Sequence, residues 1–261
     1  MSDRVTLLSS TRAEWIKFRT VRSTVMGFVV TIILTVGLGA LITTAIRGHW
    51  NSMDPIRKLT FDPVSSSLGG ILFAQFAIGV IGTLFVTSEY SSGSIRSTLA
   101  AVPQRPLLVA SKLVVLAVST FVVGELVCFA TFLMGQAIFS GVVPTALLSD
   151  GAVLRSVVLA GIYLTLLAVL GFALGLILRQ SAACISTFTS LLLVLPIITF
   201  LLPSSWQNAV SKFEPSALGH AMMSTSPPDQ MFGAWTATGI LLGYVVIVLG
   251  AGLTLMVRRD A

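Results

Sequence analysis

Six long runs of apolar residues, nearly free of charged side chains, constrain this chain more than any other feature of its sequence. A helix rises about 1.5 Å per residue, so about 20 apolar residues are needed to cross the hydrocarbon core of a bilayer. Backbone polar groups in lipid must be hydrogen-bonded within the segment, so we expect each run to be a helix. The predicted spans are 25–46, 68–86, 113–139, 157–178, 184–202 and 235–257.

The amino-acid composition agrees with membrane insertion. Of the 261 residues, 55% are hydrophobic and only 10% are charged, whereas a soluble domain carries about a quarter of charged residues. We therefore predict an all-α integral membrane protein whose residues 1–261 form a single transmembrane domain.

The distribution of Lys and Arg predicts the orientation of the spans, because cytoplasmic flanks are enriched in these residues. With both termini cytoplasmic, eleven of the sixteen lie inside and five outside. The net charge of +6 then reflects topology and attraction to anionic headgroups, and nucleic-acid binding is a poor interpretation. The inner set is Arg4, Arg12, Lys17, Arg19, Arg22, Arg96, Arg105, Lys112, Arg179, Arg258 and Arg259, and the outer set is Arg47, Arg57, Lys58, Arg155 and Lys212.

Residues 1–24 precede the first span and show an amphipathic helical pattern, which is typical of a segment lying in the membrane interface. The apolar face contains Val5, Leu8, Trp15, Phe18 and Val21. An ordinary basic flank that orients the first span is the alternative. The first apolar run is longer than the core of a signal peptide, so we expect it to remain as a helix.

Residues 203–234 are predicted to form an extracellular loop. Trp206, Val210 and Phe213 give it a weak amphipathic pattern, consistent with a short helix on the membrane surface. Two G-x-x-x-G matches, Gly171 to Gly175 and Gly239 to Gly243, support no inference about packing, because a chain with 22 glycines produces such matches by chance.

The chain has none of the sequence motifs of a catalytic or metal site. A phosphate-binding G-x-x-x-x-G-K-[ST], a zinc-binding H-E-x-x-H and a G-x-S-x-G elbow are all missing. His49 and His220 fall in predicted outer loops, and Cys128 and Cys184 fall inside spans, where a thiol usually behaves as a small hydrophobe. We expect no metal, no bound cofactor and no enzymatic activity of the chain itself.

Two residues inside the spans are candidates for function. Glu125 is an acidic residue deep in the third span, where a charge costs about 3 kcal/mol. It either belongs to a polar or proton pathway, or it is neutral or hydrogen-bonded to Ser, Thr or Gln on a neighbouring helix. Pro196 interrupts the fifth span and is a candidate hinge.

The segment between the second and third spans, residues 88–112, is too patterned for a simple connector. Ser94 is placed to cap a short helix, and Ile95, Leu99 and Val102 form an apolar stripe on it. Pro103 would end this helix.

After this short helix the chain enters the third span. Pro106 suits the first turn of the next helix. Lys112 is expected to extend towards the headgroups.

The string "SEYSSGSIRSTLAAVPQRPLLVASK" resembles the corresponding loop of bacterial ABC type-2 transporter permeases. Pro106 stands where that family commonly has a further basic residue. The N-terminal segment, the six spans and the structured outer segment before the last span also resemble the family plan. The matching loop positions are Glu89, Tyr90, Gly93, Ser94, Ile95, Arg96, Thr98, Leu99, Pro103, Arg105 and Lys112.

The resemblance implies that the loop is a cytoplasmic coupling helix that docks on a separate nucleotide-binding subunit. Glu89 would then hold the end of the second span, Ile95 and Leu99 would fill a groove of the partner, and Arg96 would pair with an acidic group there. Tyr90, Gly93 and Ser94 would also contact the partner, and Arg179 and Gln180 would make a second contact.

A complete transporter of this kind would contain two permease copies, like or unlike, in a bacterial cell membrane. ATP and Mg²⁺ would be bound by the partner, and the exported substrate would be hydrophobic or amphipathic. Three alternatives stay open: a proton- or ion-coupled carrier using Glu125, a non-transporting membrane assembly protein, and a loop that merely lies on headgroups.

Overall fold

The computed structural model describes residues 6–226 and 231–258. Arg4, Val5 and Arg259, together with residues 227–230 of the predicted outer loop, lie outside this described part.

All regular structure in the described part of the chain is helical, as expected. Six helices, α2, α5, α7, α8, α9 and α12, are long and apolar enough to cross a membrane, so the chain has the plan of a multi-pass membrane protein. The helices are α1 Leu7–Thr20, α2 Arg22–Ser52, α3 Pro55–Leu59, α4 Pro63–Ser67, α5 Ile71–Ser91, α6 Ile95–Ala101, α7 Arg105–Phe139, α8 Gly151–Leu178, α9 Ser181–Phe200, α10 Ser204–Val210, α11 Pro215–Met223 and α12 Ala234–Arg258.

Helix α8 is the centre of the bundle and packs against α5, α7 and α12. Its backbone approaches that of α5 so closely that a Cβ atom at Gly82 would overlap the carbonyl oxygen of Ala168, and one at Gly171 would overlap that of Gly79. Small residues permit such contacts in membranes, where packing rather than hydrophobicity drives association. Close helix packing, which the sequence motif alone left open, is thus present at Gly171, whereas Gly239 and Gly243 face open space.

The start of α7 lies well before the predicted third span. The helix begins at Arg105 rather than at residue 113, with Pro106 in its first turn, because proline is compatible with a position where the backbone N–H has no helical partner. Lys112 is consequently inside the helix and not on a flank.

Two spanning helices contain π-helical turns. One covers Ile33–Gly37 in α2 and the other covers Ser190–Val194 in α9. The second ends just before Pro196, which sits in the first turn of the α-helical segment that follows. An altered hydrogen-bonding register is one way in which a helix accommodates proline, and hinging at this position stays a prediction.

The segment before α12 is partly inserted into the bundle. Helix α10 exposes Trp206 and lies at the surface, but α11 buries Leu218 and Met222 against α8 and α12. Gly219 lets α11 approach the ring of Tyr163, which a Cβ atom would overlap. The sequence predicted an outer loop with one surface helix and did not predict α11. Its nine residues are too few for a span, so the hydropathy pattern did not indicate it.

Candidate functional site

Four charged side chains meet where α1, α5 and α7 come together, at what we call the α1 end of the bundle. Lys112 Nζ donates to Glu14 Oε2 at 2.7 Å and to Glu89 Oε1 at 2.8 Å. Lys17 Nζ donates to Glu14 Oε1 at 3.1 Å and to Glu89 Oε1 at 3.2 Å. These residues, the charge network, pair two cations with two carboxylates.

Burial makes the pairing necessary. The side chains of Lys112, Glu14 and Glu89 are 4%, 3% and 13% exposed. Removing a lysine and two carboxylates from water costs several kcal/mol for each charge unless opposite charges and hydrogen bonds compensate. The expectation that Lys112 extends to the headgroups is wrong, because its ammonium is enclosed by two carboxylates and lies 4.9 Å from the centre of the Phe85 ring.

Lys17 is the partly exposed member of the network, with 44% of its side chain accessible. Burial alone would lower its pKa, but the carboxylates of Glu14 and Glu89 outweigh that effect, and the pKa of Lys17 is raised above its usual value. Lys17 Nζ also donates to Thr98 Oγ1 on α6 at 3.3 Å. The loop helix α6 is thereby joined to the network.

The side of helix α1 that faces the bundle carries two polar residues and one aromatic residue. Ser10, Glu14 and Phe18 recur every four positions and are buried, and the hydroxyls of Ser10 and Ser111 lie 2.8 Å apart. Phe18 packs edge-on against Phe85, with 5.0 Å between ring centres.

The other apolar residues predicted for this segment point away from the protein. Leu8, Trp15 and Val21 are exposed. Among the described residues of the predicted apolar face, only Phe18 lies in the core. The surface of α1 that faces outward is therefore suited to contact lipid.

The loop helix α6 turns its apolar side inward. Ile95 is buried in the core of this chain, and Leu99 and Val102 pack partly against that core. The interpretation that Ile95 fills the groove of a partner is therefore wrong, because its side chain is not on the surface. Arg96 is exposed.

The turn before α6 differs from the predicted cap. Ser94 occupies the capping position, but its hydroxyl makes no capping bond and lies 2.9 Å from the hydroxyl of Ser92. Gly93 has a φ of +72°, a conformation that glycine adopts without strain.

A second junction joins this loop to the connection between α8 and α9. The guanidinium of Arg179 lies 5.2 Å from the centre of the Tyr90 ring, and Ser181 Oγ donates to Thr87 Oγ1 at 2.8 Å. Arg179 has a φ of +58°, which is strained for a residue with a Cβ atom. Gln180 is exposed at the start of α9, and its side chain makes no capping bond.

Arg105 attaches helix α12 to the α1 end of the bundle. Its guanidinium donates from Nη1 to the carbonyl oxygens of Met256 at 2.6 Å and Val257 at 3.3 Å. These carbonyls belong to the last turn of α12, where helical partners are lacking and a cation is favourable. The predicted loop residues thus connect α5 and α7 with α9 and α12.

A cleft of about 470 Å³ lies between α1, the start of α2, the end of α5 and α6. Glu89 lines it, and Glu89 Oε2 is buried without a hydrogen-bond partner among the described residues. The other polar residues that line the cleft are Lys17 and eight hydroxyl-bearing residues: Thr20, Ser23, Thr24, Ser88, Ser92, Ser94, Ser97 and Thr98.

Glu125 lies apart from this network, further along α7. Both of its carboxylate oxygens are buried and have no hydrogen-bond partner in the described part of the chain. The side chain rests on α8, where a Cβ atom at Gly161 would lie 2.5 Å from Glu125 Cδ. Glu125 has no Ser, Thr or Gln partner among the described residues, so the hydrogen-bonded alternative is wrong, whereas a neutral carboxyl group stays a prediction.

Sequence reasoning missed Glu14 and Lys17 as members of the site. The available signal was the presence of Glu14 on an otherwise basic N-terminal segment, together with Lys112 beside a long apolar run. Within residues 6–226 and 231–258 no group of His, Cys, Asp and Glu side chains is suited to hold a metal ion.

Comparison with known proteins adds no relationship, since the chain matches no family model and no curated protein.

Proposed function

We propose that this chain is the permease subunit of an ATP-binding-cassette exporter in a bacterial cell membrane, with both termini in the cytoplasm. Two copies, identical or paralogous, would enclose the path of a hydrophobic or amphipathic substrate. Separate nucleotide-binding subunits would bind ATP and Mg²⁺ below them, and this chain would have no ATPase activity of its own.

The observation that carries the proposal is the attachment of α6 to the bundle through the charge network. Thr98 on α6 bonds Lys17, which shares Glu14 and Glu89 with Lys112. A displacement of α6 therefore acts directly on α1, α5 and α7. Coupling between two sites requires such an element with differential contacts in two states.

The junction of Tyr90 with Arg179 supports the same proposal. The resemblance implies that both the loop around α6 and the connection around Arg179 contact the partner. Since these two segments touch each other, one rigid surface would receive the partner and move as a unit.

The surface offered to the partner is polar. Arg96 is exposed, and none of the side-chain hydrogen bonds or ion pairs of the described residues involves it. We infer that it pairs with an acidic group of the partner. A desolvated pair of this kind contributes more to binding than an exposed one.

Purification of the tagged chain from its native membrane tests the proposal. We expect a protein carrying G-x-x-x-x-G-K-[ST] to copurify, to be lost with Arg96→Glu and to be retained with Arg12→Glu, an exposed arginine on α1. Thermal unfolding of both variants checks that they fold. If no such protein appears, or if both variants retain it equally, the docking role of α6 is wrong.

The isolated carboxylate of Glu125 favours a second candidate function, a proton-coupled carrier. In that case Glu125→Gln would abolish transport while ATPase binding is unaffected. In an exporter driven through α6, this variant would transport normally, and Arg96→Glu would be the inactive one.

A further inference from the structure

An apolar groove of about 400 Å³ lies between α1, α2 and α7, on the outer surface of the bundle. Val25 and Val29 of α2 form one wall and Val118 and Val122 of α7 form the other, and all four are partly exposed. Trp15 of α1 also lines the groove. Since α2 and α7 are both candidate spans, this surface faces the position of lipid chains.

The groove has a charged end and an apolar end. Its single charged lining residue is Arg19, in the last turn of α1. Both α2 and α7 start at this end and run inward, so the lining from Val25 to Ile32 extends about 10 Å away from the charge. The guanidinium of Arg19 is exposed and has no hydrogen bond or ion pair to any described residue.

We propose that this groove binds one acyl chain of an anionic membrane phospholipid, with the lipid phosphate on Arg19. An apolar channel with one unpaired cation at its mouth matches an amphiphile whose negative group sits at the end of a hydrocarbon chain. A second copy of this chain fits less well, because the inner flanks are basic and it would bring further cations towards Arg19. The inference is independent of the proposed function.

The experiment uses the purified full-length chain in neutral detergent, with phosphatidylglycerol or phosphatidylcholine of identical acyl chains added. The wild type should be stabilised more by phosphatidylglycerol, seen as a higher midpoint of thermal unfolding, and should retain that lipid in native mass spectrometry. Arg19→Gln should weaken retention about fivefold, the effect of removing one cation near a lipid surface. Arg12→Gln, on the same helix but outside the groove, should change it little.

Filling the groove provides a second test that leaves the charges unchanged. Val122→Trp should reduce retention of both lipids, whereas Val114→Trp, an exposed position on α7 outside the groove lining, should not. Equal stabilisation by the two lipids in the wild type would overturn the proposal. Equal losses with Arg19→Gln and Arg12→Gln, or disulfide-linked dimers through Val118→Cys in membranes, would overturn it as well.

Discussion

Lys112 and Glu125 lie on the same helix, about 20 Å apart along its axis, and their surroundings differ completely. Near the start of α7, the ammonium of Lys112 is enclosed by Glu14 and Glu89. In the middle of α7, the carboxylate oxygens of Glu125 are buried and have no partner in the described part of the chain. Lys112 therefore joins three helices, whereas the carboxyl group of Glu125 joins none, and its burial without a partner destabilises the fold.

The largest change in stability is expected at Lys112, whose charge is compensated by two carboxylates. Lys112→Met leaves two buried carboxylates with only the partly exposed Lys17, and we expect it to lower the free energy of unfolding by about 3–5 kcal/mol. Denaturant unfolding in detergent measures this change. Arg96→Met, at an exposed position on α6, should change it by less than about 0.5 kcal/mol.

Adding Glu14→Gln and Glu89→Gln to Lys112→Met sharpens the first test. The stranded carboxylates are then neutral, so part of the lost stability should return. If Lys112→Met is as stable as the wild type, the charge network does not hold α1 against the bundle.

Substitution of Glu125 is expected to change the free energy of unfolding in the opposite direction. A buried polar group without a partner costs about 1–3 kcal/mol, so Glu125→Leu should raise the free energy of unfolding by about 1–2 kcal/mol. Gln136 on α7 provides the control, because it donates to Ser67 Oγ at 2.9 Å and accepts from the backbone N–H of Ala146 at 2.7 Å. Gln136→Leu should destabilise the chain, and a matching loss at Glu125 would show that its carboxylate has a stabilising contact.

A smaller effect is expected at the junction between Tyr90 and Arg179. Arg179→Ala loses the contact with the ring and keeps the strained backbone, whereas Arg179→Gly loses the contact and removes the strain. The glycine variant should therefore be more stable than the alanine variant by about 1 kcal/mol. Equal thermal unfolding midpoints for the two variants would show that the positive φ costs nothing.

The smallest effect concerns pH. The pKa of Lys17 is raised in the folded protein, so its contribution is fully present below the pKa of the unfolded chain and is lost as pH rises through the folded value. Because the side chain of Lys17 is partly exposed, we expect it to contribute less than about 1 kcal/mol to the free energy of unfolding. Unfolding of the wild type between pH 9 and 12 should show this decline above the ordinary lysine pKa of 10.5, and Lys17→Met should lack that component.

Hydropathy was sufficient to predict the six spanning helices, because the cost of unpaired backbone groups in lipid leaves few alternatives. The helical turn at Pro106 also followed from local rules. Local rules did not predict that Lys112 pairs with Glu14, since the two residues are far apart in sequence and only the packing of α1 on α7 brings them together. Ile95 illustrates the same limit, because an apolar stripe does not reveal whether it faces its own bundle, lipid or another protein.

Photo-crosslinking at Ser97 tests the central claim most directly. Ser97 is an exposed residue of α6, and the hydrogen bond of its hydroxyl stays within its own turn, so we expect a photoreactive amino acid to be tolerated there. In native membranes the account predicts a crosslink to a protein carrying a phosphate-binding G-x-x-x-x-G-K-[ST] sequence. Crosslinks to phospholipid alone would contradict it.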